Sequence, residues 1–208
     1  MTSTESMTTA EIIDTFPYRK YYMPAFEDMF YNLMDVAKGV DKLGDIAAPG
    51  RRGYVAIVRR SFPGDYEKTD SISDHFCEHV RIDAYERGQI TPRQAWQNME
   101  VTSRDKPIVK QIIANSSQHE KREAVYNLAR GCNTHNAALD VWLFTHFKSS
   151  NILDCFAGWG DRLIAAYVVT AVSYTGYDTN ERMQPCYKGI TTACSNINGV
   201  SGCVSSVI

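Results

Sequence analysis

The chain has 208 residues, of which 44% are hydrophobic, 22 are basic and 24 are acidic. This length allows one or two domains, and the near balance of charge gives no overall electrostatic signal for nucleic acid. The six cysteines are scattered and form no CxxC pair, which favours reduced thiols and argues against a zinc ribbon. The sequence has no signal-peptide core and no uninterrupted run of about eighteen apolar residues, so we expect a soluble intracellular protein without a membrane partner.

Helical patterns dominate the first two thirds of the chain. Pro24 opens a predicted helix with a regular apolar face. Ser73 is a candidate cap for a second helix, which the apolar spacing extends to Gly88. Thr91 followed by Pro92 is a strong helix start, because a cap residue precedes proline at the first helical position. Three more helices are predicted after it, over about 105–115, 119–130 and 134–147.

The pattern changes after Lys148 to short strands that alternate with helices. NILDCF, VSYTGYD and GCVSSVI predict three strands, and DRLIAAYVV and RMQPCYKGITTAC predict the helices between them. A β-α-β-α-β order with short connections is typical of a parallel, doubly wound sheet. We therefore expect an α/β fold with a helix-rich N-terminal region over 1–130 and the first half of a Rossmann-like domain over 131–208.

A tight glycine turn joins the first predicted strand to the next helix. Gly158 and Gly160 lack Cβ, so the backbone can bend sharply and approach a ligand closely. Asp154 ends the first strand, and Asp178 ends the second, where an acid can accept hydrogen bonds from both hydroxyls of a ribose. The two acids and the turn together predict a pocket for an adenosine cofactor.

The residues after the turn distinguish between cofactors. A dinucleotide fingerprint has a third glycine where this chain has Leu163, and Asp161 places a negative charge at the helix start, which disfavours a pyrophosphate. A cationic sulfonium cofactor without phosphates suits an acidic turn better. The residues therefore favour S-adenosylmethionine over a nicotinamide dinucleotide.

The stretch ILDCFAGWGDRLIAA resembles the first motif of methyltransferases that modify exocyclic amines of DNA bases. YTGYDTNERMQPCYK is similar, more specifically, to a group of methyltransferases from large DNA viruses and phages, which share the AGWGDRL turn and the residues after it. The resemblance covers about residues 130–190 and extends weakly through CNTHNAALDVWLF. It implies a methyltransferase domain that binds S-adenosylmethionine, DNA as a partner, and the host cytoplasm or nucleus as the location.

The resemblance also implies roles for individual residues. Those that would line the methionine end of the cofactor are Asp154, Ala157, Gly158 and Gly160. Those that would close the pocket from the preceding segment are Asn133, Thr134 and Asn136. Asp178 would hold the ribose, and Trp159, inside the turn, either covers the cofactor or packs against the N-terminal helices. No catalytic residue is assigned.

A second motif of this family is absent. It consists of an acidic or polar residue followed by Pro-Pro-aromatic, which holds the target amine and stacks on the flipped base. The chain contains no Pro-Pro pair; the nearest stretches, TFPY and SFPG, are interpreted as turns. We therefore expect a truncated frame, a sheet that a second chain completes, or a degenerate remnant, and no activity from the isolated chain.

Two other classes of function remain open. One is a non-enzymatic module, either a cofactor-binding remnant or a structural or partner protein that uses the helical region. The other is a nucleotide-dependent oxidoreductase, against which the missing third glycine argues.

Two further patterns have competing interpretations. RRGYVAIVRR is either a short strand with solvated ends or a nucleic-acid contact whose phosphate-binding residues are Arg51, Arg52, Arg59 and Arg60. His75 and His79 have a spacing that can bind zinc on a helix, but no third ligand is evident, so we expect no metal.

Overall fold

The computed structural model describes residues 15–21, 25–39, 72–85, 87–105, 115–129, 133–197 and 203–208. None of the helices in these ranges combines the length and the apolarity that crossing a membrane requires. The chain divides into two compact units, one of Met1–Met23 with Glu78–Asn133 and one of Pro24–Cys77 with Thr134–Ile208. The division at residues 130 and 131 that the sequence suggests stays a prediction. The strand predicted around Val55 lies outside the described residues. The same is true of the four candidate phosphate-binding arginines, Arg51, Arg52, Arg59 and Arg60.

Helices and parallel strands make up the described part of the chain. Its α-helices are α1 (Phe26–Gly39), α2 (Asp74–Arg81), α3 (Pro92–Asp105), α4 (Gln118–Leu128), α5 (Ala137–His146), α6 (Asp161–Val168) and α7 (Gln184–Ser195). Its strands are β1 (Asn151–Asp154), β2 (Ser173–Gly176) and β3 (Val204–Val207). Short 3₁₀ turns cover Arg19–Tyr21 and Glu181–Met183.

Local sequence signals explain where α3 begins. The Thr91 hydroxyl accepts a hydrogen bond from Gln94 N at 3.1 Å, and the Gln94 side chain accepts one from Thr91 N at 2.9 Å. This reciprocal capping satisfies backbone donors that the first helical turn would leave unpaired, and Pro92 has no such donor to lose. The predicted start at Thr91 and Pro92 is confirmed.

The predicted end of α2 at Gly88 is wrong, because the helix ends at Arg81. The carbonyl of Ile82 accepts its hydrogen bond from Arg93 N in α3 at 2.9 Å, so a contact distant in sequence replaces the next helical bond. Gly88 instead has a φ of 83°, a conformation that glycine adopts without a steric penalty.

The first unit contains a small apolar core and a buried ion pair. The core consists of Phe16, Ile82, Ala95, Trp96, Val125 and Ala129. Beside it, the Glu78 carboxylate accepts hydrogen bonds from Arg122 Nε at 2.7 Å, Arg19 N at 2.7 Å and the Tyr126 hydroxyl at 3.2 Å. The Arg81 guanidinium lies 3.9 Å from the centre of the Tyr126 ring, close enough for a cation–π interaction.

The second unit is built around a three-stranded parallel sheet in the order β1-β2-β3. Crossovers between parallel strands are right-handed, which places α6 and α7 on the same face of the sheet. Helices α6 and α7 contact each other, α5 packs on α6, and α1 packs on both α5 and α6. Tyr174 on β2 is fully buried, whereas Leu153 on β1 is 69% exposed. The predicted α/β architecture is confirmed in this coarse form, and its assignment to the methyltransferase type stays a prediction.

We expect Arg122→Met to lower the free energy of unfolding of the first unit by about 3–5 kcal/mol, because it leaves the buried Glu78 carboxylate without its counter-ion. Lys38→Met is the control, since the Lys38–Asp35 pair is 70% and 67% exposed and such pairs contribute little. Urea unfolding followed by circular dichroism measures both. Equal small losses in the two variants would contradict this account of the Glu78 pair.

Candidate functional site

The turn between β1 and α6 lies across the carboxyl ends of β1 and β2. Ala157 N donates a hydrogen bond to the carbonyl of Tyr177 at 2.8 Å, which ties the turn to the residue after β2. Gly158 and Gly160 have φ values of 58° and 93°, a region that other residues rarely adopt. A Cβ at position 160 would also lie 2.6 Å from Ile190 Cδ1 in α7. The torsion therefore favours glycine at 160, and a larger residue would also displace the end of the Ile190 side chain.

Asp178 brings the tip of β2 to this turn. Its Oδ2 accepts a hydrogen bond from Gly158 N at 2.7 Å, and its Oδ1 accepts one from Asn180 N at 2.8 Å. The Tyr187 hydroxyl donates to the carbonyl of Gly158 at 2.6 Å. Asp178 is only partly buried, and a carboxylate has about four lone-pair sites, so it keeps the capacity to accept further hydrogen bonds.

Asp154, by contrast, is 8% exposed and is surrounded by donors of the protein. Its carboxylate accepts hydrogen bonds from Arg162 Nε at 2.7 Å, the Tyr174 hydroxyl at 2.7 Å and Phe156 N at 3.1 Å. Burial opposes ionisation of Asp154, but these three donors and the arginine charge together hold its pKa below the usual range. Asp154 is therefore an ionised anchor that fixes the start of the turn.

Arg162 and Tyr174 are parts of the site to which the sequence assigns no role. The Arg162 guanidinium contacts both the Asp154 carboxylate and the carbonyl of Phe156, so it braces the turn from one side. Burial and the bond to Asp154 raise the pKa of Tyr174, which keeps its hydroxyl a donor. Strand alternation could have predicted the role of Tyr174. Ile152 and Asp154 lie on the same face of β1, because alternate residues of a strand share a face, and Tyr174 pairs with Ile152 in the parallel register.

The other predicted site residues have varied surroundings. Ala157 is buried inside the turn, and Trp159 and Thr134 are partly buried. Asn136 is the N-cap of α5, where its side chain accepts a hydrogen bond from Leu139 N at 3.2 Å. Asn133 is exposed and is the last residue of the first unit. Asn136 therefore has a structural role in α5, and the proposed part of these residues in a pocket stays a prediction.

The second unit has a cavity away from the turn and another that reaches Tyr187, whose hydroxyl bonds to the carbonyl of Gly158 in the turn. One, of about 450 Å³, is bounded by the ends of α1, α5 and α6, with Lys38 and Lys148 in its wall. The other, of about 470 Å³, lies beside α7 and β3 and is lined by Lys188, Gln184 and several hydroxyl side chains. Asp154 and Asp178 are not among the described residues that line either cavity.

The described residues contain no group of three or more His, Cys, Asp or Glu side chains arranged to hold a metal ion. His75, one of the two histidines with zinc spacing, has its Nε2 at 3.3 Å from Met29 Sδ, and its ring meets that of Phe26 edge-on. These contacts are those of a packed side chain.

Comparison of the chain with protein-family models, with curated proteins and with solved structures finds no match. The geometry of the site is therefore the evidence for its chemistry. That geometry offers a partly exposed carboxylate at the tip of β2 and a glycine turn beside it. The Arg162–Asp154 pair braces the turn.

We expect Gly160→Ala to destabilise the second unit by about 1–3 kcal/mol, because the new methyl group meets Ile190 and the left-handed torsion becomes strained. Gly39→Ala at the end of α1 is the matched control, since no atom lies within 4 Å of a Cβ there. Urea unfolding of both variants tests the expectation. An unchanged stability of Gly160→Ala would contradict the structure of the turn.

Proposed function

We propose that the second unit binds S-adenosylmethionine at the carboxyl ends of β1 and β2. We further propose that the protein is related to methyltransferases that act on amino groups of DNA bases. In such a reaction the methyl group passes in line from the sulfonium to a nitrogen held nearby, and catalysis is mostly positioning. The chain offers cofactor-binding residues for this function and no residue to which a catalytic role can be assigned.

The observation that carries the proposal is the position of Asp178. Its carboxylate lies 2.7 Å from Gly158 N, so the acid after the second strand and the turn after the first strand form one site. Ligands of open α/β sheets bind outside the carboxyl ends of the strands, and an acid in this position accepts hydrogen bonds from ribose hydroxyls. The strand order β1-β2-β3 with helices α6 and α7 between the strands supports the same assignment.

Two residues favour a sulfonium cofactor over a dinucleotide. Leu163, where the dinucleotide fingerprint has glycine, is fully buried, so its bulk takes the space in which that fingerprint brings helix and strand together. Asp161 opens α6 and is itself buried. A pyrophosphate at this helix end would approach a carboxyl group as well as the backbone donors.

A non-enzymatic module is the second candidate, and the partners of Asp154 favour it. Three donors of the protein already bind this carboxylate, which the resemblance places at the methionine end of the cofactor. A turn whose polar groups satisfy one another is also what a structural remnant would retain. Binding of the cofactor separates the proposed site from a purely structural remnant, and methyl transfer separates an enzyme from a cofactor-binding remnant.

We expect calorimetry to detect binding of S-adenosylmethionine and S-adenosylhomocysteine to the wild-type chain. Asp178→Ala should weaken that binding by about ten- to hundredfold, because hydrogen bonds to a charged acceptor are lost. Asp178→Asn is a second variant that retains an acceptor oxygen for Gly158 N, in case the alanine variant unfolds. Glu181→Ala is the control, since it removes an exposed acid from the same segment.

Equal affinity in the Asp178 and Glu181 variants would refute the ribose-binding role. The absence of any heat with folded wild-type protein would exclude the proposed cofactor site and leave the non-enzymatic module as the function.

We also expect this chain alone to transfer no methyl group to DNA, because its sequence has no Pro-Pro-aromatic motif to hold a flipped base. Incubation with duplex DNA and cofactor labelled in the methyl group measures this. Incorporation of label above that of a heat-denatured sample would show that another segment replaces the motif.

A further inference from the structure

The carboxyl end of α5 has a backbone geometry that usually requires glycine. Lys148 N donates a hydrogen bond to the carbonyl of Thr145 at 3.1 Å, and Ser149 N donates one to the carbonyl of Phe144 at 2.8 Å. These two bonds define a Schellman motif, in which the residue after the helix cap takes a left-handed conformation. Lys148 is that residue, and its φ is 52°. A lysine therefore stands where glycine would avoid a steric penalty.

The carboxyl end of α6 repeats this geometry. Thr170 N donates to the carbonyl of Tyr167 at 3.0 Å, and Ala171 N donates to that of Ala166 at 3.0 Å. Thr170 has a φ of 53°, which makes it an outlier, because a β-branched side chain crowds the backbone in this region. Among the residues that the structure describes, Lys148 and Thr170 are the only ones other than glycine with a positive φ.

Both strained residues lie in the wall of one cavity, the one of about 450 Å³ at the ends of α1, α5 and α6. Lys38, near the end of α1, adds a second ammonium group to this wall. The hydroxyl groups in the wall are those of Thr145, Ser149, Ser150 and Thr170. The volume is in the range of sites for small molecules.

Several of these polar groups can bind a ligand. Lys148 is exposed, and the Lys38–Asp35 pair, at 2.9 Å, is 70% and 67% exposed, so a ligand can replace Asp35 at little cost. The Thr145 hydroxyl donates to the carbonyl of Val141 at 2.7 Å and has no second proton to donate. The remaining hydroxyl donors of the wall are Ser149, Ser150 and Thr170.

The strain at Thr170 indicates a function for this wall. Lysines near helix ends also stabilise the negative end of the helix dipole, which would by itself account for Lys38 and Lys148. It does not account for Thr170, which has no charge. Strained torsions outside glycine are concentrated at ligand-binding and active sites, where the side chain contributes more than the torsion costs.

We propose that this cavity binds a small organic phosphate, whose phosphate group is neutralised by Lys38 and Lys148. A phosphate monoester carries nearly two negative charges near neutral pH and has three acceptor oxygens, which match two ammonium groups and three hydroxyl donors. A carboxylate offers only one charge and two oxygens. The cavity is larger than a phosphate ion, so it also accommodates an organic part.

This site is separate from the glycine turn. Ser150 directly precedes β1, whereas the turn follows the carboxyl end of the same strand. The cavity and the turn therefore lie at opposite ends of β1, and the inference does not depend on the proposed function.

Calorimetry with ribose 5-phosphate and with inorganic phosphate tests the ligand class. The wild-type chain should bind ribose 5-phosphate, and about tenfold more tightly than inorganic phosphate. Lys148→Met should weaken the binding about tenfold or more, because bonds to a charged group are lost, and Lys148→Arg should largely retain it. Lys188→Met is the control, since it removes an exposed lysine of α7 that lies outside this cavity.

Three outcomes would overturn the proposal. They are no binding of ribose 5-phosphate by the wild type, equal affinity for ribose 5-phosphate and inorganic phosphate, and equal weakening in Lys148→Met and Lys188→Met.

Glycine substitutions test whether strain and binding are linked. Thr170→Gly should raise the melting temperature by about 2–4 °C, because the left-handed torsion is no longer strained. It should also weaken the binding of ribose 5-phosphate about threefold or more, because a hydroxyl donor is lost. Ser149→Gly is the control, since Ser149 lines the cavity without a positive φ, so it should weaken binding without raising the melting temperature. A melting temperature that does not rise, or an unchanged affinity, in Thr170→Gly would refute the role of this residue.

Nuclear magnetic resonance locates the ligand. On titration with ribose 5-phosphate, the amide signals of Ser149, Ser150 and Thr170 should shift, and those of Gly158 and Gly160 should stay in place. Shifts confined to the two glycines would place the phosphate at the turn and overturn the assignment to the cavity.

Discussion

The hydrogen bonds that hold the glycine turn against the end of β2 are the constraint on which the rest of the second unit depends. The carbonyl of Tyr177 accepts a hydrogen bond from Ala157 N, and the Asp178 carboxylate accepts one from Gly158 N. The Tyr187 hydroxyl donates to the carbonyl of Gly158. A turn with this sharp a bend exposes several backbone groups, and each of them would cost free energy if it were buried without a partner. The bonds from β2 and α7 supply those partners, so α6 starts at one place and in one direction.

Acids in this region illustrate how surroundings set the charge of a side chain. Asp154 has a cation and two further donors, and it is stable as a carboxylate. Asp161, seven residues later, has no such cation beside it among the described residues, and burial raises its pKa to about 7. The pKa values of the two groups beside the same turn are therefore shifted in opposite directions. Asp178 differs from both, since it is partly exposed and retains free acceptor capacity, as a ligand-binding carboxylate requires.

Helices and strands with strong local signals agree with the expectations from sequence. Pro92 and Thr91 start α3, and the alternation after Lys148 corresponds to β1, α6, β2, α7 and β3 in order. The end of α2 differs, because a bond between Ile82 and Arg93 outweighs the continuing apolar periodicity. Periodicity indicates which residues face a core, and it carries no information about a competing hydrogen-bond donor from another helix.

The sequence by itself specifies a strand, a glycine turn and a helix, and it places an acid at the end of each of two strands. It can do so because torsional limits and side-chain alternation act over a few residues. The sequence does not specify which partners those acids find. Tyr174 and Ser73 reach the acids only after folding has brought β2 and the residue before α2 beside the turn, and Arg162 reaches Asp154 only when the turn folds the start of α6 back on β1. Burial and charge pairing are properties of that assembled environment, so the opposite shifts in the pKa values of Asp154 and Asp161 arise from the tertiary structure.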